Sequence, residues 1–175
     1  NIYYEKNIGE GDTPYNTKSK GLFYKYSHGP AKFFSLDVRT ERYNRASSPQ
    51  MIGMLQKRAL EEWLIENRSD DYVKFIISAV PLFPDTKDVF FYPVGSPEDK
   101  WGGYCEQRLD ILEFIRNQNI RKVVFISGDV HVSFVSKLQY DNQDLGIYSI
   151  VSSGFTWPVP GLQRFNFDWK NIPES

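Results

Sequence analysis

The sequence predicts an α/β domain in which helices cover a sheet, and three observations carry that reading. Two nearly continuous apolar runs, "YVKFIISAVPLF" and "IRKVVFIS", have the pattern of strands covered on both faces. Each is preceded by a segment with buried-type residues at three- and four-residue spacing, the mark of a helix with one apolar stripe. Shorter alternating segments at either end pair off as hairpins. The order is therefore hairpin, helix, buried strand, loop, helix, buried strand, hairpin.

Taken in turn, residues 1–20 are rich in Gly, Asn, Lys and Ser without a sustained period, and read as an irregular lead-in. "GLFYKYSHG" alternates over Leu22 to Ser27 and closes at Gly29-Pro30, and "AKFFSLDVR" returns as the second strand of a hairpin. Ser48-Pro49 has the chemistry of a helix start, a hydroxyl cap followed by proline at the first helical position. Ile52, Leu55, Ala59 and Trp63 then form the stripe of a helix of roughly four turns. Residues 84–103 hold three prolines and three glycines, so a long loop is expected. A second helix runs from Tyr104 to Asn119, with Arg108, Leu112 and Ile115 on neighbouring turns. "VSFVSKLQY" and "LGIYSIVSS" form the closing antiparallel pair about Asp141 to Asp144. Nothing divides the 175 residues in two.

Composition excludes several classes of function. Lys+Arg at 21 against Asp+Glu at 22 gives a formal charge of −1 with no basic block, so a general nucleic-acid-binding field is not expected. No apolar run of about 18 residues exists to span a bilayer. The single cysteine, Cys105, excludes an internal disulfide and a multi-cysteine zinc site. It stands near the start of the second helix, where packing or surface exposure explains it without chemistry. Trp63, Phe90, Phe91, Trp101 and Trp157 could wall a pocket, with core packing as the default. Ser153 lacks a Gly-x-Ser-x-Gly turn and a histidine partner, which disfavours serine hydrolysis.

Ligands of open α/β sheets gather at the carboxyl ends of the strands. There the sequence offers Asp37 and Arg39, Asp129 and His131, and Ser152-Ser153-Gly154. Asp129 and His131 are two positions apart, so extended backbone points both side chains to one side, where a carboxylate and an imidazole could share a cation. Iron, manganese or zinc suits that pair, and calcium suits the nitrogen less. The plainer alternative is a capping aspartate beside a half-buried histidine. Arg39 could hold a phosphate with its planar fork, or pair with Asp37 or a nearby glutamate. His28, between Ser27 and Gly29, reads as a turn residue.

Six stretches together change the weight of these residues. "GPAKFFSLDVRTERY", "MLQKRALEEWL", "VKFIISAVP", "DKWGGYCEQRLDILEFI", "VVFISGDVHVSF" and "IYSIVSSGFTWP" stand in the order and approximate spacing of the PhoD-like (alkaline phosphatase D) branch of the metallophosphatases. The chain resembles that branch over about residues 21–160. The resemblance implies a layered α/β/β/α sandwich, of which residues 21–175 would be the C-terminal part. It also implies hydrolysis of phosphate mono- or diesters at a two-metal centre, with Asp129 and His131 as metal-site residues and Arg39 near the phosphate. Aspartate at the first position of the Gly-Asp-x-His loop makes the site more anionic, favouring iron or calcium over zinc alone.

Two departures qualify the resemblance. Ser78-Ala79-Val80-Pro81 stands where related enzymes often carry a histidine, and the family's early ligand motifs are absent from a chain with two histidines. Those motifs are expected upstream, in an N-terminal half of the same catalytic domain. The isolated chain is then expected to bind metal weakly and to show no useful activity. The alternative is a noncatalytic binding or scaffold domain of the same fold. Family analogy places such a protein in the periplasm or outside the cell.

Overall fold

In a computed structural model of the chain, residues 21–44, 49–83, 99–128, 130, 133–140, 143–153 and 165–170 are described, the last six by their backbone. The lead-in expected for residues 1–20 lies outside them. The first hairpin joins β1 (Tyr24–His28) to β2 (Ala31–Ser35) in antiparallel register, with Tyr26 opposite Phe33. Gly29 turns the chain at φ +56°, a left-handed angle that favours glycine. His28, expected as a turn residue, is instead the exposed last residue of β1, paired with Ala31 just before the turn at Gly29-Pro30.

The first helix, α1 (Met54–Glu66), starts later than its sequence signals imply. Its N-cap is Gly53, which has no side chain to cap with, and the Glu41 carboxylate accepts the Gly53 N–H instead, at 2.9 Å. Pro49 precedes a β-bridge between Tyr43 and Gln50, and Ser48 lies outside the described residues. The buried stripe is Gln56, Leu60, Trp63 and Leu64, while Ile52 is buried in the segment ahead of the helix. A glutamine was not legible as a stripe residue because it is buried for its hydrogen bonds.

After β3 (Val73–Ile77), a short 3-10 turn over Trp101–Tyr104 leads into α2 (Cys105–Asn117). The helix stops two residues sooner than expected. Asn119 takes a left-handed φ of 50°, and the Ile120 N–H reaches back to the Ile115 carbonyl at 2.9 Å. The remaining strands are β4 (Val123–Ser127), β5 (Phe134–Tyr140), β6 (Gln143–Val151) and β7 (Phe165–Lys170). The last was not expected, although Phe165, Phe167 and Trp169 alternate as strand residues do.

One seven-stranded sheet results, in the order β1-β2-β3-β4-β6-β5-β7. β2, β3, β4 and β6 run parallel, and β1 and β5 are antiparallel to their neighbours β2 and β6. β7 lies parallel to β5 at the far edge. On one face, Phe34, Ile76, Phe125, Ile147 and Leu138 join Leu60, Trp63 and Leu64 of α1 and Ile111, Leu112 and Ile115 of α2 in a single core.

The opposite face differs from the expectation of strands buried on both sides. Burial along β3 and β4 alternates, and Phe75, Ile77, Val124 and Ile126 are only half-buried. An aromatic ladder crosses this face, with ring centroids 4.5 Å apart for Tyr26 and Phe33 and 4.9 Å for Phe33 and Phe75. A mixed sheet with helices on one face and a half-exposed apolar second face is compatible with part of a sandwich.

Candidate functional site

Parallel strands send their carboxyl ends to one edge, and cross-strand bonds show how closely the exits line up. Leu36 N–H reaches the Ile77 carbonyl at 2.8 Å, Ser78 N–H the Ile126 carbonyl at 2.9 Å, and Ser152 N–H the Ser127 carbonyl at 2.9 Å. The segments beginning at residues 36, 78, 128 and 152 therefore leave side by side. β5 and β7 begin at this same edge, because Phe134 lies opposite Val151 and Phe165 opposite Phe134.

The exit from β2 is the most fully built. Asp37 is buried, and its Oδ1 accepts the N–H groups of Arg39 at 3.1 Å and Thr40 at 2.9 Å while Oδ2 accepts the Thr40 hydroxyl. The backbone is thus folded into a tight turn by its own carboxylate. Gln56 of α1 holds that turn from beneath. Its Oε1 accepts the Asp37 N–H at 2.8 Å, and its Nε2 donates to the Asp37 carbonyl at 3.1 Å and to Glu41 at 2.6 Å.

Glu41 is itself buried, and desolvation raises its pKa above the ordinary carboxylate value. The bonds from Gln56 and Gly53 pull the other way, and the neighbouring Asp37 adds to the rise. From α2, Gln107 accepts the N–H groups of Met51 at 2.8 Å and Ile52 at 3.1 Å and donates to the Ile52 carbonyl at 2.7 Å. The turn after β2 is therefore tied to α1 through Gln56, and the segment entering α1 is tied to α2 through Gln107.

The turn over Asp37 to Thr40 breaks the strand's alternation, leaving Asp37 and Glu41 buried, Arg39 exposed and Arg42 half-buried. Both arginines meet Oδ1 of Asp99, with Nη1 atoms at 2.8 Å for Arg39 and 2.5 Å for Arg42. The hydrogen bond from Arg42, opposed by slight burial and joined by attraction from both guanidiniums, holds the Asp99 carboxyl below its ordinary range. Arg39 does pair with a carboxylate, as one reading of the sequence allowed, but Asp99 is 60 residues away in sequence. Arg42, the second basic residue in "VRTERY", and Asp99 were missed. The three-residue spacing from Arg39 was the available signal for Arg42, while nothing local marks Asp99.

At the exit of β3, Trp101 is fully buried and its indole N–H donates to Ser78 Oγ at 3.3 Å; Ser78 in turn donates to the Val80 carbonyl at 2.6 Å. Trp101 belongs to the core. The Cys105 thiol donates to the Gly102 carbonyl at 2.8 Å, closing the turn that precedes α2.

At the exit of β4, a side chain on Gly128 would place its Cβ 3.1 Å from the Ser152 carbonyl oxygen, so glycine lets the neighbouring exits approach. Asp129 and His131 lie outside the described residues. The structure brings their strand end to the same edge as Arg39, with only β3 between β4 and β2. Ser153 sits at the β6 exit, where it exchanges bonds with Ser133 through its N–H at 3.0 Å and its carbonyl at 2.5 Å.

With this geometry in place, comparison with known proteins is decisive. The profile of the PhoD-like phosphatases matches residues 8–157. The chain belongs to the PhoD-like phosphatase family. It is 30% identical over 134 residues to alkaline phosphatase D of Bacillus subtilis (strain 168), covering 69% of this chain and 23% of that protein. The solved structure of PhoD superposes with a TM-score of 0.60 at 22% identity, over 81% of this chain and 30% of that one. The fold is thus that of PhoD, and the chain spans about a quarter of its curated relative's length.

Within the PhoD-like family a metal dependence is expected. Among the described residues, no group of three or more histidine, cysteine, aspartate or glutamate side chains is placed to hold an ion. No helix among them is long and apolar enough to cross a membrane.

Proposed function

We propose that this chain is the C-terminal part of a metal-dependent phosphatase or phosphodiesterase, and that the carboxyl edge of its sheet forms one wall of the active site. The observation that supports the reading is the alignment of the β2 and β4 exits, which brings the segment carrying Arg39 and the strand end at Gly128 to the same edge. Family membership supplies the reaction class.

In this reading Asp129 and His131 are two ligands of a two-metal centre, and the other ligands come from elsewhere in the PhoD-like domain. Their donor types fit the role, since a hard carboxylate oxygen and an imidazole nitrogen suit iron, manganese or zinc, and the carboxylate also suits calcium. Bound metal would supply Lewis acidity and a water acidic enough to ionise near neutral pH. The chain's own contribution is positioning. Gly128 admits close approach, and the Asp37 turn fixes where Arg39 can donate to a phosphoryl oxygen.

A periplasmic or secreted setting is part of the proposal, on family analogy alone. The test is hydrolysis of a chromogenic monoester and diester by the full-length, metal-loaded protein. Asp129→Ala and His131→Ala should each lower kcat/KM by at least 100-fold and reduce bound metal. Wild-type-like turnover and metal content in both variants would defeat the assignment. A full-length protein that binds no metal and turns over no ester would favour a noncatalytic scaffold of the same fold.

A further inference from the structure

Arg39 and Arg42 do more than form surface ion pairs. They bracket Glu41, whose carboxylate is buried and bonded to Gln56 and to the Gly53 N–H; Arg39 lies within the turn closed by Asp37, and Arg42 follows it. The two acids of this segment are thus buried and bonded within the fold, while its two cations emerge from a backbone braced by Gln56 of α1. Their Nη1 atoms converge on a single oxygen, at 2.8 and 2.5 Å. Two guanidiniums focused on one point make a preorganised seat for an oxyanion, because the cost of bringing the cations together is met by the fold.

The group in that seat is a poor permanent tenant. The Asp99 side chain is 56% exposed, against 18% for Arg42 and 44% for Arg39. A phosphate dianion would neutralise both cations and offers three terminal oxygens where Asp99 presents one oxygen to both arginines.

We infer that Arg39 and Arg42 form a clamp for a phosphate dianion, and that Asp99 is an internal competitor which must be displaced for the anion to bind. The inference rests on the proposed phosphoesterase reading for its substrate class and adds to it Arg42 and Asp99. The same dianion chemistry belongs to a phosphomonoester substrate and to inorganic phosphate released as product. A diester, with one negative charge, gains less from the clamp. Asp99 therefore weakens retention of phosphate and narrows the preference for monoesters.

The test uses the full-length protein. Inorganic phosphate binding is measured by calorimetry for the wild type and for Asp99→Asn, Arg42→Gln and Arg42→Lys, with kcat and KM on a chromogenic monoester and diester alongside. Asp99→Asn should tighten phosphate binding about fivefold, the scale of one exposed ion pair. Arg42→Gln should weaken it about tenfold, and lysine should restore only part, lacking the planar fork. Lower monoester KM with unchanged diester KM in Asp99→Asn assigns the clamp to substrate. Tighter phosphate inhibition without a change in either KM assigns it to product. Phosphate affinity within twofold of wild type in both Asp99→Asn and Arg42→Gln overturns the inference, whatever the turnover. Altered phosphate affinity in a protein without esterase activity would remove the proposed function and leave the clamp standing.

Discussion

Glu41 is a carboxyl group held in the interior by amide donors, and its environment makes a pH prediction with a definite sign. Its pKa in the folded protein lies above the ordinary 4.5, chiefly through desolvation. As pH rises from 4.5 through the folded-state pKa, the unfolded chain gives up this proton more readily than the native one, so stability falls. Glu41→Gln should remove that component. Urea unfolding at acidic and neutral pH is expected to show a smaller loss in the variant than in the wild type, and equal losses would contradict the assignment.

Gln56 makes the complementary prediction. Replacement by leucine strands the Asp37 N–H, the Asp37 carbonyl and one side of Glu41, and should cost about 3 kcal/mol in chemical denaturation. A cost below about 0.5 kcal/mol would mean that the network is dispensable.

The serines of β4, β5 and β6 point in the opposite direction. Among the described residues, the hydroxyls of Ser127, Ser136 and Ser149 are buried without a hydrogen-bond partner, and Ser136 lies opposite Ser149. Ser149→Ala should raise stability by about 1 kcal/mol, since it removes a desolvated hydroxyl with little change in shape. A drop in melting temperature would indicate a partner for that hydroxyl.

At the scale of elements, α1 and α2 are held by their apolar stripes and by the glutamines among them. Leu60 is fully buried in the core, and Leu60→Ala should cost about 2–5 kcal/mol in chemical denaturation. Element type was legible where periodicity is local. The hairpins follow from alternation, the two helices from three- and four-residue spacing, and the two central strands from nearly continuous apolar runs.

Boundaries were less legible because distant groups set them. The Ser48-Pro49 signal is locally sound, but Glu41, 12 residues before Gly53, supplies the acceptor at the start of α1. The candidate site divides in the same way. Asp37 and Arg39 were visible as polar residues at the end of an apolar run, whereas Arg42, three residues on, was missed. The meeting with Asp99 depends on the chain's return through α2's approach, which no short window of sequence contains.

For the whole molecule, one arrangement joins stability to function. Among the described residues the helices cover one face; Gln56 of α1 braces the turn after β2 and Gln107 of α2 the segment entering α1, so the packing that stabilises the core also supports the segment carrying Arg39. The sheet's other face remains half-buried and rich in Tyr, Phe, Val and Ile. A chain covering 23% of its curated relative carries the fold of this layer without representing the whole protein.

The strand order also sets a timetable. β1 with β2, and β5 with β6, are joined by short turns, whereas the β2–β3, β3–β4 and β4–β6 pairings each require a long excursion to close. Loop closure makes non-local parallel pairing slow, so the two hairpins should form early and the four-strand parallel centre last. Pulse-labelled hydrogen exchange during refolding should show amides of β1, β2, β5 and β6 protected ahead of those of β3 and β4. Simultaneous protection across the sheet would refute this order. If it holds, the edge bearing Arg39 and Gly128 is assembled in the final step of folding, and phosphate affinity appears only when the centre of the sheet closes.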